Sequence, residues 1–482
     1  MKSFCSGFLS RWMRRYLGNE KGIALPMAVA LVVIVSLLGA SAAYMMESQT
    51  QMGSRFTAGA DAMHYAEAGA NNYLWRLNEG TEASAQMNVR VSFEGGFYRL
   101  QELQTSESLV TIRSTGWLAS DPSSARTIDV TMRKRAFTQF AYLSNSDGPN
   151  IWWIGGERCY GPYHTNDTLR VRDDPIFFGR VTYVTGFITN PAANATDPAF
   201  LVQTFRDGIQ QVTPLIFPGT NGELIIWAQN DDYYYRGRTS IRLNGDGTIT
   251  TRNPNRNSGA AEIRSLPPSG VIYVDAATSG TTGKFGTRPG DAFVSGTLNG
   301  RLTIAAANDI YITGRDPTNY TFNNAAVTDG IRYAITTFSD VVQSGEKIGV
   351  SASNDHDMLG LVANNDVWIL GTGWFSGNPA DVAPDDITIH AALFAINGSF
   401  GYESYTTYTK GDINFVGSLI QRTRAPVGLF DATSGQKTRG YDKNYAYDPR
   451  MAFTAPPRFL QPAAAGWDVF SWEENSHHLP TE

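Results

Sequence analysis

The sequence predicts a mostly β protein with one long N-terminal helix, a small antiparallel meander and a large parallel β-solenoid-like domain. Three observations carry this prediction. An uncharged run of 25 residues lies near the N-terminus. Charged residues make up 17% of the chain, against about 25% in average soluble proteins, and 47 glycines accompany 12% aromatic residues. This composition excludes a coiled coil or a charge-driven disordered protein and favours turn-rich β-structure.

Length, charge and cysteine content narrow the functional classes. The chain has 482 residues, enough for several domains at roughly 100–200 residues each. Its formal net charge is −6 and no long basic run follows the N-terminus, so no nucleic-acid partner is expected. Two cysteines, Cys5 and Cys159, are too few for a disulfide scaffold or a four-thiolate zinc site.

The uncharged run predicts a transmembrane helix. It extends from Gly22 to Met46, which exceeds the ~20 residues that span a bilayer. Five basic residues and one acid precede it. Such a basic flank stays in the cytoplasm, so the rest of the chain is expected outside it. A buried helix of a soluble core, the alternative, explains neither the length nor the flank.

Three kinds of N-terminal segment fit this pattern. A secretory signal would be cut after a small-x-small site such as Ala40-Ser41-Ala42, and a plain signal anchor would stay uncut. A prepilin-type leader, residues 1–22, would be cut after Gly22 and leave the helix attached. The helical pattern continues beyond the membrane, because apolar residues recur at spacings of three, four or seven as far as Gly80. One helix is therefore predicted over 23–80, with its first half in the membrane.

Residues about 15–135 resemble the minor type IV pilins and the type II secretion pseudopilins. The resemblance rests on Lys21-Gly22 before the apolar run and on Tyr65-Ala66-Glu67-Ala68-Gly69 in the later helix. Major pilins carry a Glu where this chain has Met27. In that family the carboxylate compensates the N-terminal charge of a neighbouring subunit, so the resemblance favours a subunit that starts or tips a filament.

This resemblance implies how the chain is processed and where it acts. A prepilin peptidase would cut between Gly22 and Ile23 and change the formal net charge from −6 to −10, since five basic residues and one acid are removed. The mature protein would be a single-pass inner-membrane protein with its bulk in the periplasm or at the cell surface. Its partners would be other pilin-like subunits. The small residues expected to allow close helix packing with them are Gly39, Ala43, Gly53 and Gly59.

Residues 81–135 are predicted to form a small antiparallel β unit. Phe97–Leu103, Leu109–Gly116 and Arg126–Met132 partly alternate apolar and polar residues, with turn residues between them. Such a sheet has one apolar face, which the C-terminal half of the long helix is expected to cover.

From about residue 140 to 460, short runs of Val, Ile, Tyr and Trp alternate with Asn, Asp and Gly. Leu302–Gly314, Leu359–Gly371 and Ile387–Phe400 look like copies of one unit. Stacked strands joined by Asn, Asp and Gly corners would place like residues above one another, which favours a parallel β-solenoid. A β-sandwich with Asn-Gly turns is the alternative. Residues 461–482 are interpreted as a C-terminal tail.

This region also resembles a bacterial cell-envelope β-domain of unassigned function that often follows pilin-like N-termini. Gly360–Val367 and Tyr441–Arg450 are among the motifs that carry the resemblance. It implies no catalytic residues and no cofactor. The sequence itself contains no His-Glu-x-x-His, no phosphate-binding loop and no Gly-x-Ser-x-Gly elbow, so neither catalytic residues nor a metal site is predicted.

Three tyrosines in the last of these motifs are the candidate ligand-binding residues. Tyr441, Tyr445 and Tyr447 alternate along one predicted strand and form either a cap over the last coil or a ledge on which a ligand stacks. Arg422 and Arg424 would likewise share a face.

Two functions stay open. One is a pilin-like, non-enzymatic subunit of a type IV pilus or related filament that displays the β-domain for adhesion or surface contact. The other is a tethered β-solenoid that binds or cleaves extracellular polysaccharide.

Overall fold

The computed structural model describes residues 24–81, 83–105, 109–149, 151–322, 328–377, 379–431, 436–462 and 466–475. These residues are mostly β-structure with one long N-terminal helix, which confirms the predicted composition of the fold. The chain divides into two compact units. The first combines the residues up to Met132 with those from Asp468 onward, and the second comprises Arg133–Trp467.

The described residues contain three α-helices and 31 strands. The helices are α1 (Ala24–Glu79), α2 (Pro198–Thr204) and α3 (Ile225–Asn230). The strands are β1 (Arg90–Phe93), β2 (Gly96–Thr105), β3 (Leu109–Leu118), β4 (Arg126–Lys134), β5 (Tyr142–Ser146), β6 (Arg158–Cys159), β7 (Tyr163–Thr165), β8 (Thr168–Arg172), β9 (Ile176–Phe177), β10 (Val181–Tyr183), β11 (Gly186–Asn190), β12 (Ile209–Gln211), β13 (Tyr234–Arg236), β14 (Thr239–Asn244), β15 (Thr248–Arg252), β16 (Ala261–Ser265), β17 (Val271–Asp275), β18 (Ala292–Leu298), β19 (Arg301–Ala306), β20 (Ile310–Ile312), β21 (Gly330–Tyr333), β22 (Phe338–Gln343), β23 (Glu346–Ala352), β24 (Met358–Ala363), β25 (Val367–Ile369), β26 (Ile387–Ala395), β27 (Phe400–Tyr402), β28 (Thr409–Thr423), β29 (Gly428–Phe430), β30 (Lys437–Tyr447) and β31 (Trp467–Asn475).

The first unit contains a five-stranded sheet in the order β1-β2-β3-β4-β31. The pairs β1–β2 and β2–β3 are antiparallel. Between β3 and β4, Arg113 donates to both carboxylate oxygens of Asp129 at 2.7 and 2.8 Å. The interpretation of residues 461–482 as a tail needs correction, because 467–475 form β31 and extend this sheet. The apolar residues of β31 do not alternate, since Val469 and Phe470 are adjacent, and so it lacks the periodic signal of a strand.

The C-terminal half of α1 packs closely on this sheet. Ala62 and Ala66 are fully buried, and the Ser114 hydroxyl donates to the Ala66 carbonyl at 2.7 Å. A Cβ at Gly116 would lie 2.3 Å from Ala62 O and from Ala66 N, so only glycine lets the helix backbone approach the strand this closely. Small residues on both elements therefore set the packing distance.

The second unit contains a parallel ladder of ten strands. Their order is β13-β17-β19-β24-β26-β28-β5-β7-β10-β12. The register places buried apolar residues directly above one another. One such column comprises Ile272, Ile304, Leu361, Leu393, Leu419, Tyr142 and Tyr163. Neighbouring strands of a sheet lie ~4.8 Å apart, so these side chains form a continuous core.

Two further parallel rows run beside this ladder. One has the order β14-β18-β21-β26-β28-β30, and the other has the order β18-β20-β25-β27. The long strands β26 and β28 belong both to the ladder and to the first row. The sheets are thus mainly parallel, while closure into a solenoid stays a prediction.

Residues 212–233 connect the two ends of the ladder, because β12 and β13 are its outermost strands. The first part of this connection, residues 212–224, is the return segment. It contacts successive strands on the way. The Leu215 amide donates to Asn166 Oδ1 at 2.9 Å, and the Phe217 ring lies 5.4 Å from that of Phe394 in β26. Further along, the fully buried Asn221 side chain donates to the carbonyls of Ala306 and Val362, both at 2.9 Å.

Candidate functional site

The first half of α1 is an apolar helix whose side chains meet no other part of the described chain. Leu25, Leu31 and Leu38 are 65–75% exposed, and the first buried residue of the helix is Gly59. By length and composition α1 could cross a membrane, and it is the one helix in the described residues that could. Each large apolar side chain left in water forgoes about 1.5–3 kcal/mol of burial, so this half of α1 requires an apolar environment.

The structure separates the four small residues predicted to mediate helix assembly. Nothing lies within 4 Å of a Cβ placed at Gly39 or Gly53, and Ala43 is exposed. Gly59 differs, because a Cβ there would lie 3.2 Å from the Arg126 guanidinium of the same unit. Gly59 is thus occupied by a contact within its own unit. The predicted processing residues, Gly22 and Ile23, lie outside the described residues.

The three candidate tyrosines do not form a common exposed ledge. Tyr441 is fully buried and donates to the Pro384 carbonyl. Tyr447 is 8% exposed and donates to the Thr138 carbonyl at 2.9 Å. Tyr445 is partly exposed and lines a cleft. Two of the three tyrosines therefore take part in internal packing, and one reaches the surface of a cavity.

This cavity, which we call the Trp153 cleft, has a volume of about 350 Å³ and lies between residues 153–160 and β30. Trp153 forms its floor and is only 4% exposed. Tyr160, Phe430 and Tyr445 supply partly exposed aromatic rings. Binding pockets for small molecules combine such apolar surface with a few fixed polar groups.

The fixed polar groups of the cleft are ion pairs. Lys443 donates to Glu157 Oε1 at 2.6 Å, and the Ile154 amide donates to Glu157 Oε2 at 3.0 Å. Burial alone would raise the pKa of Glu157, but the charges of Lys443 and Arg424 bring it below its ordinary value. Burial lowers the pKa of Lys443. The Glu157 carboxylate and the Lys443 ammonium are therefore stabilised by their mutual ion pair rather than by hydration.

A second cavity of about 290 Å³, the Arg424 cavity, is lined by Asp147, Arg424 and their neighbours along the chain. The Arg424 guanidinium carbon lies 4.8 Å from the centre of the Trp153 ring and 5.5 Å from that of Tyr142. Arg424 Nη1, Asp147 Oδ1 and Trp153 Nε1 are buried and have no hydrogen-bond partner among the described residues. Two of these polar atoms thus belong to side chains that line the Arg424 cavity, and the third belongs to the indole that Arg424 contacts.

The sequence pointed to this region without identifying its members. The alternation in β30 led to Tyr445, and the spacing of Arg422 and Arg424 indicated a shared face. Trp153 and Glu157 were missed as site residues, because they lie in an irregular segment whose partners come from β28 and β30, far along the chain. A cluster of three or more His, Cys, Asp or Glu side chains that could hold a metal ion is absent from the described part of the chain.

Cys159 lies in β6, close to the cleft, and is a free buried thiol. Burial raises its pKa to about 12, so the reactive thiolate is suppressed at neutral pH.

No protein family matches the sequence, and no curated protein matches it. Among solved structures, the competence-associated pilin ComZ from Thermus thermophilus is similar at 13% sequence identity, over 87% of this chain and 98% of that chain, with a TM-score of 0.23. A TM-score this low does not establish a common fold. The residues themselves define a mostly β protein with one apolar helix that could anchor in a membrane.

Proposed function

We propose that this chain is a membrane-anchored, pilin-like subunit of a type IV pilus or related filament, of the minor pilin or pseudopilin type. In this proposal α1 holds the protein in the inner membrane and joins it to other pilin-like subunits. The β unit of residues 133–467, proposed to be a solenoid, is displayed outside the cytoplasm for adhesion or surface contact. The observation that carries the proposal is the exposed apolar surface of α1, which is longer than a membrane anchor requires.

The exposed apolar residues continue past the uncharged run. Met52 and Phe56 are 75% and 81% exposed, and they follow the first charged residue of the helix, Glu47. At 1.5 Å per residue they lie about 9 and 15 Å beyond Met46 along the helix axis. A plain anchor gains nothing from apolar residues at this level, whereas a helix that packs against other helices buries them. This surface therefore supports assembly rather than anchoring alone.

Enlarging the small residues of α1 tests the assembly role. The double variant Gly39→Leu, Ala43→Leu should insert into the membrane and keep a protease-resistant β unit, yet lose co-purification with other pilin-like subunits, because shape governs helix association in lipid. The control Val32→Leu, Val35→Leu adds bulk where the side chains are already large, and it should retain the partners. Equal partner recovery with both variants would contradict the proposal.

Processing gives an independent test. Mass spectrometry of the mature protein should find an N-terminus at Ile23, and replacing Gly22 with Leu should leave the precursor uncut. A mature chain that begins at Met1 or at Ala43 would contradict a prepilin-type leader.

The alternative is a tethered protein that either binds or cleaves polysaccharide, and the structure bears differently on these two activities. Cleavage by a pair of carboxylates needs one that donates a proton and one that acts as base or nucleophile. In the Trp153 cleft Glu157 is paired with Lys443, and Asp442 is paired with Lys437, each at 2.6 Å. Two carboxylates neutralised in this way support ligand binding better than cleavage. Binding of polysaccharide is compatible with the proposed display of the β unit.

A further inference from the structure

We propose that the Trp153 cleft and the adjoining Arg424 cavity together bind a neutral saccharide. This deepens the proposed function and rests on it, because display outside the cytoplasm brings the β unit into contact with extracellular glycans. The proposal is carried by four properties of the site: unused donors, unused acceptors, electrical neutrality and aromatic surface.

The unused donors are Arg424 Nη1 and Trp153 Nε1. Both atoms are buried and have no hydrogen-bond partner among the described residues. Arg422, two residues before Arg424, provides the contrast. Its Nε donates to the Ile396 carbonyl at 2.9 Å, and its Nη2 donates to Asn397 Oδ1 at 3.4 Å. One arginine of the pair therefore serves the fold, while the other retains an unused donor.

The unused acceptor is Asp147 Oδ1. Asp147 is 2% exposed, and its other oxygen accepts from the Tyr163 hydroxyl at 2.8 Å. Leaving a buried donor or acceptor unpaired costs ~1–3 kcal/mol, more where the group is charged. A hydroxyl group can satisfy both kinds of atom, because it accepts a hydrogen bond from a guanidinium and donates one to a carboxylate. A ligand with several hydroxyl groups matches this set.

The charges around the two cavities balance. Arg424 and Lys443 contribute two positive charges, and Asp147 and Glu157 contribute two negative charges. Asp442, which also lines the cleft, is paired with Lys437 at 2.6 Å. Arg158 at the rim is paired with Glu346 at 2.6 Å. A site built for a phosphate or carboxylate would carry an excess of cations, so the balance favours a ligand without net charge.

The aromatic rings suit the apolar face of a sugar ring. Tyr160, Phe430 and Tyr445 line the cleft and are partly exposed, and the Tyr160 ring is also stacked on Phe178 with ring centres 5.0 Å apart. Aromatic side chains offer large, rigid contact surfaces at a low cost in conformational entropy. The cavities of about 350 and 290 Å³ are at the small end of ligand pockets, which favours one or two sugar units of a longer chain.

The test compares two arginine variants of the detergent-solubilised full chain on an array of neutral and acidic oligosaccharides. Wild-type protein should bind neutral glycans, and isothermal titration with the best of them should give its dissociation constant. Arg424→Met should weaken that binding tenfold or more with little change in melting temperature. Arg422→Met should lower the melting temperature and leave the dissociation constant within twofold.

A second variant protects the test against a folding defect. Phe430 is partly exposed at the rim, so Phe430→Ala should keep the fold and weaken binding several-fold. The inference is overturned if wild-type protein binds no glycan, if it binds only acidic glycans, or if Arg424→Met binds as tightly as wild type. These outcomes are independent of helix assembly. Glycan binding without an effect of Gly39→Leu, Ala43→Leu on co-purification would reject the proposed function and leave the site standing.

Discussion

Replacing Asn221 with alanine should remove the strongest attachment of the return segment. The Asn221 side chain makes three buried hydrogen bonds to three different strands. It donates to the carbonyls of Ala306 in β19 and Val362 in β24, and it accepts from the Tyr273 hydroxyl in β17 at 2.9 Å. Its backbone amide also donates to Asn364 Oδ1 at 2.8 Å, and the substitution leaves that bond in place.

The expected loss follows from these partners. Three buried hydrogen bonds contribute about 1 kcal/mol each, and a hydroxyl left unpaired inside the protein costs about 1 kcal/mol more. The Ala306 carbonyl keeps a second donor, the Asn364 amide, and so adds no further penalty. Tyr273 is 2% exposed, so its hydroxyl has no direct access to solvent. The free energy of unfolding should therefore fall by about 4 kcal/mol.

Denaturant titration of the full chain in detergent, followed by circular dichroism, measures this loss. Asn365→Ala is the matched control, because Asn365 is exposed and its side-chain amide donates only to Asn308 Oδ1 among the described residues. It should cost less than about 0.5 kcal/mol. Tyr273→Phe should cost about 1–2 kcal/mol, and combining it with Asn221→Ala should cost less than the sum, since no hydroxyl is left unpaired. Equal effects of Asn221→Ala and Asn365→Ala, or strict additivity, would refute the reasoning.

Two other predictions concern the ladder. Gly417→Ala should prevent folding of the second unit, because its Cβ would lie 1.8 Å from the Ala391 carbonyl oxygen. In the control Gly349→Ala, the new Cβ meets nothing within 4 Å, and the fold should be unchanged. Limited proteolysis distinguishes the two variants, and a protease-resistant Gly417→Ala protein would contradict the packing. Burial and two nearby arginines lower the pKa of His390 to about 4, and burial beside two other aspartates raises that of Asp309 to about 6. Titration of His390 therefore lowers the free energy of unfolding by up to about 3 kcal/mol as the pH falls from 6.5 to 4. Titration of Asp309 lowers it by a similar amount as the pH rises from 4 to 6. Unfolding titrations of His390→Asn and Asp309→Asn between pH 4 and 7 should deviate from wild type with opposite slopes, and profiles parallel to wild type would exclude this assignment.

Local patterns in the sequence predict the first unit well. The uncharged run and the three-and-four spacing lead to one helix that ends at Glu79, as the structure has it. The element Tyr65-Ala66-Glu67-Ala68-Gly69, which carried the family resemblance, has a packing reason within this unit. A Cβ at Gly69 would lie 2.6 Å from Ser114 Oγ, so the sheet requires small residues there. The helix is readable because its apolar spacing depends on neighbours a few residues away, whereas the packing of Gly69 on Ser114 joins residues far apart in the chain.

Pairings between distant residues could not be read in this way. Arg126 forms an ion pair with Glu474 at 2.6 Å, and nothing in the sequence near either residue indicates that partner. The same holds for the cleft, where Lys443 meets Glu157. Arg422 and Arg424 have the same residue type and alternation, yet their surroundings differ because Phe217 packs on one and Trp153 on the other. Those aromatic rings arrive from remote segments of the chain.

The strand order of the ladder also determines when the second unit can be completed as the chain is synthesised. Strand β5 emerges early, but one of its two neighbours is β28, and the hydrogen bond from Gln421 to Tyr142 joins residues 279 positions apart. Until that late strand has been synthesised, one edge of β5 remains open, and an open strand edge readily pairs with other chains. The seam between β5 and β28 is thus the last part of the ladder to close, and the synthesis of β28 rather than local propensity sets the time at which it can do so.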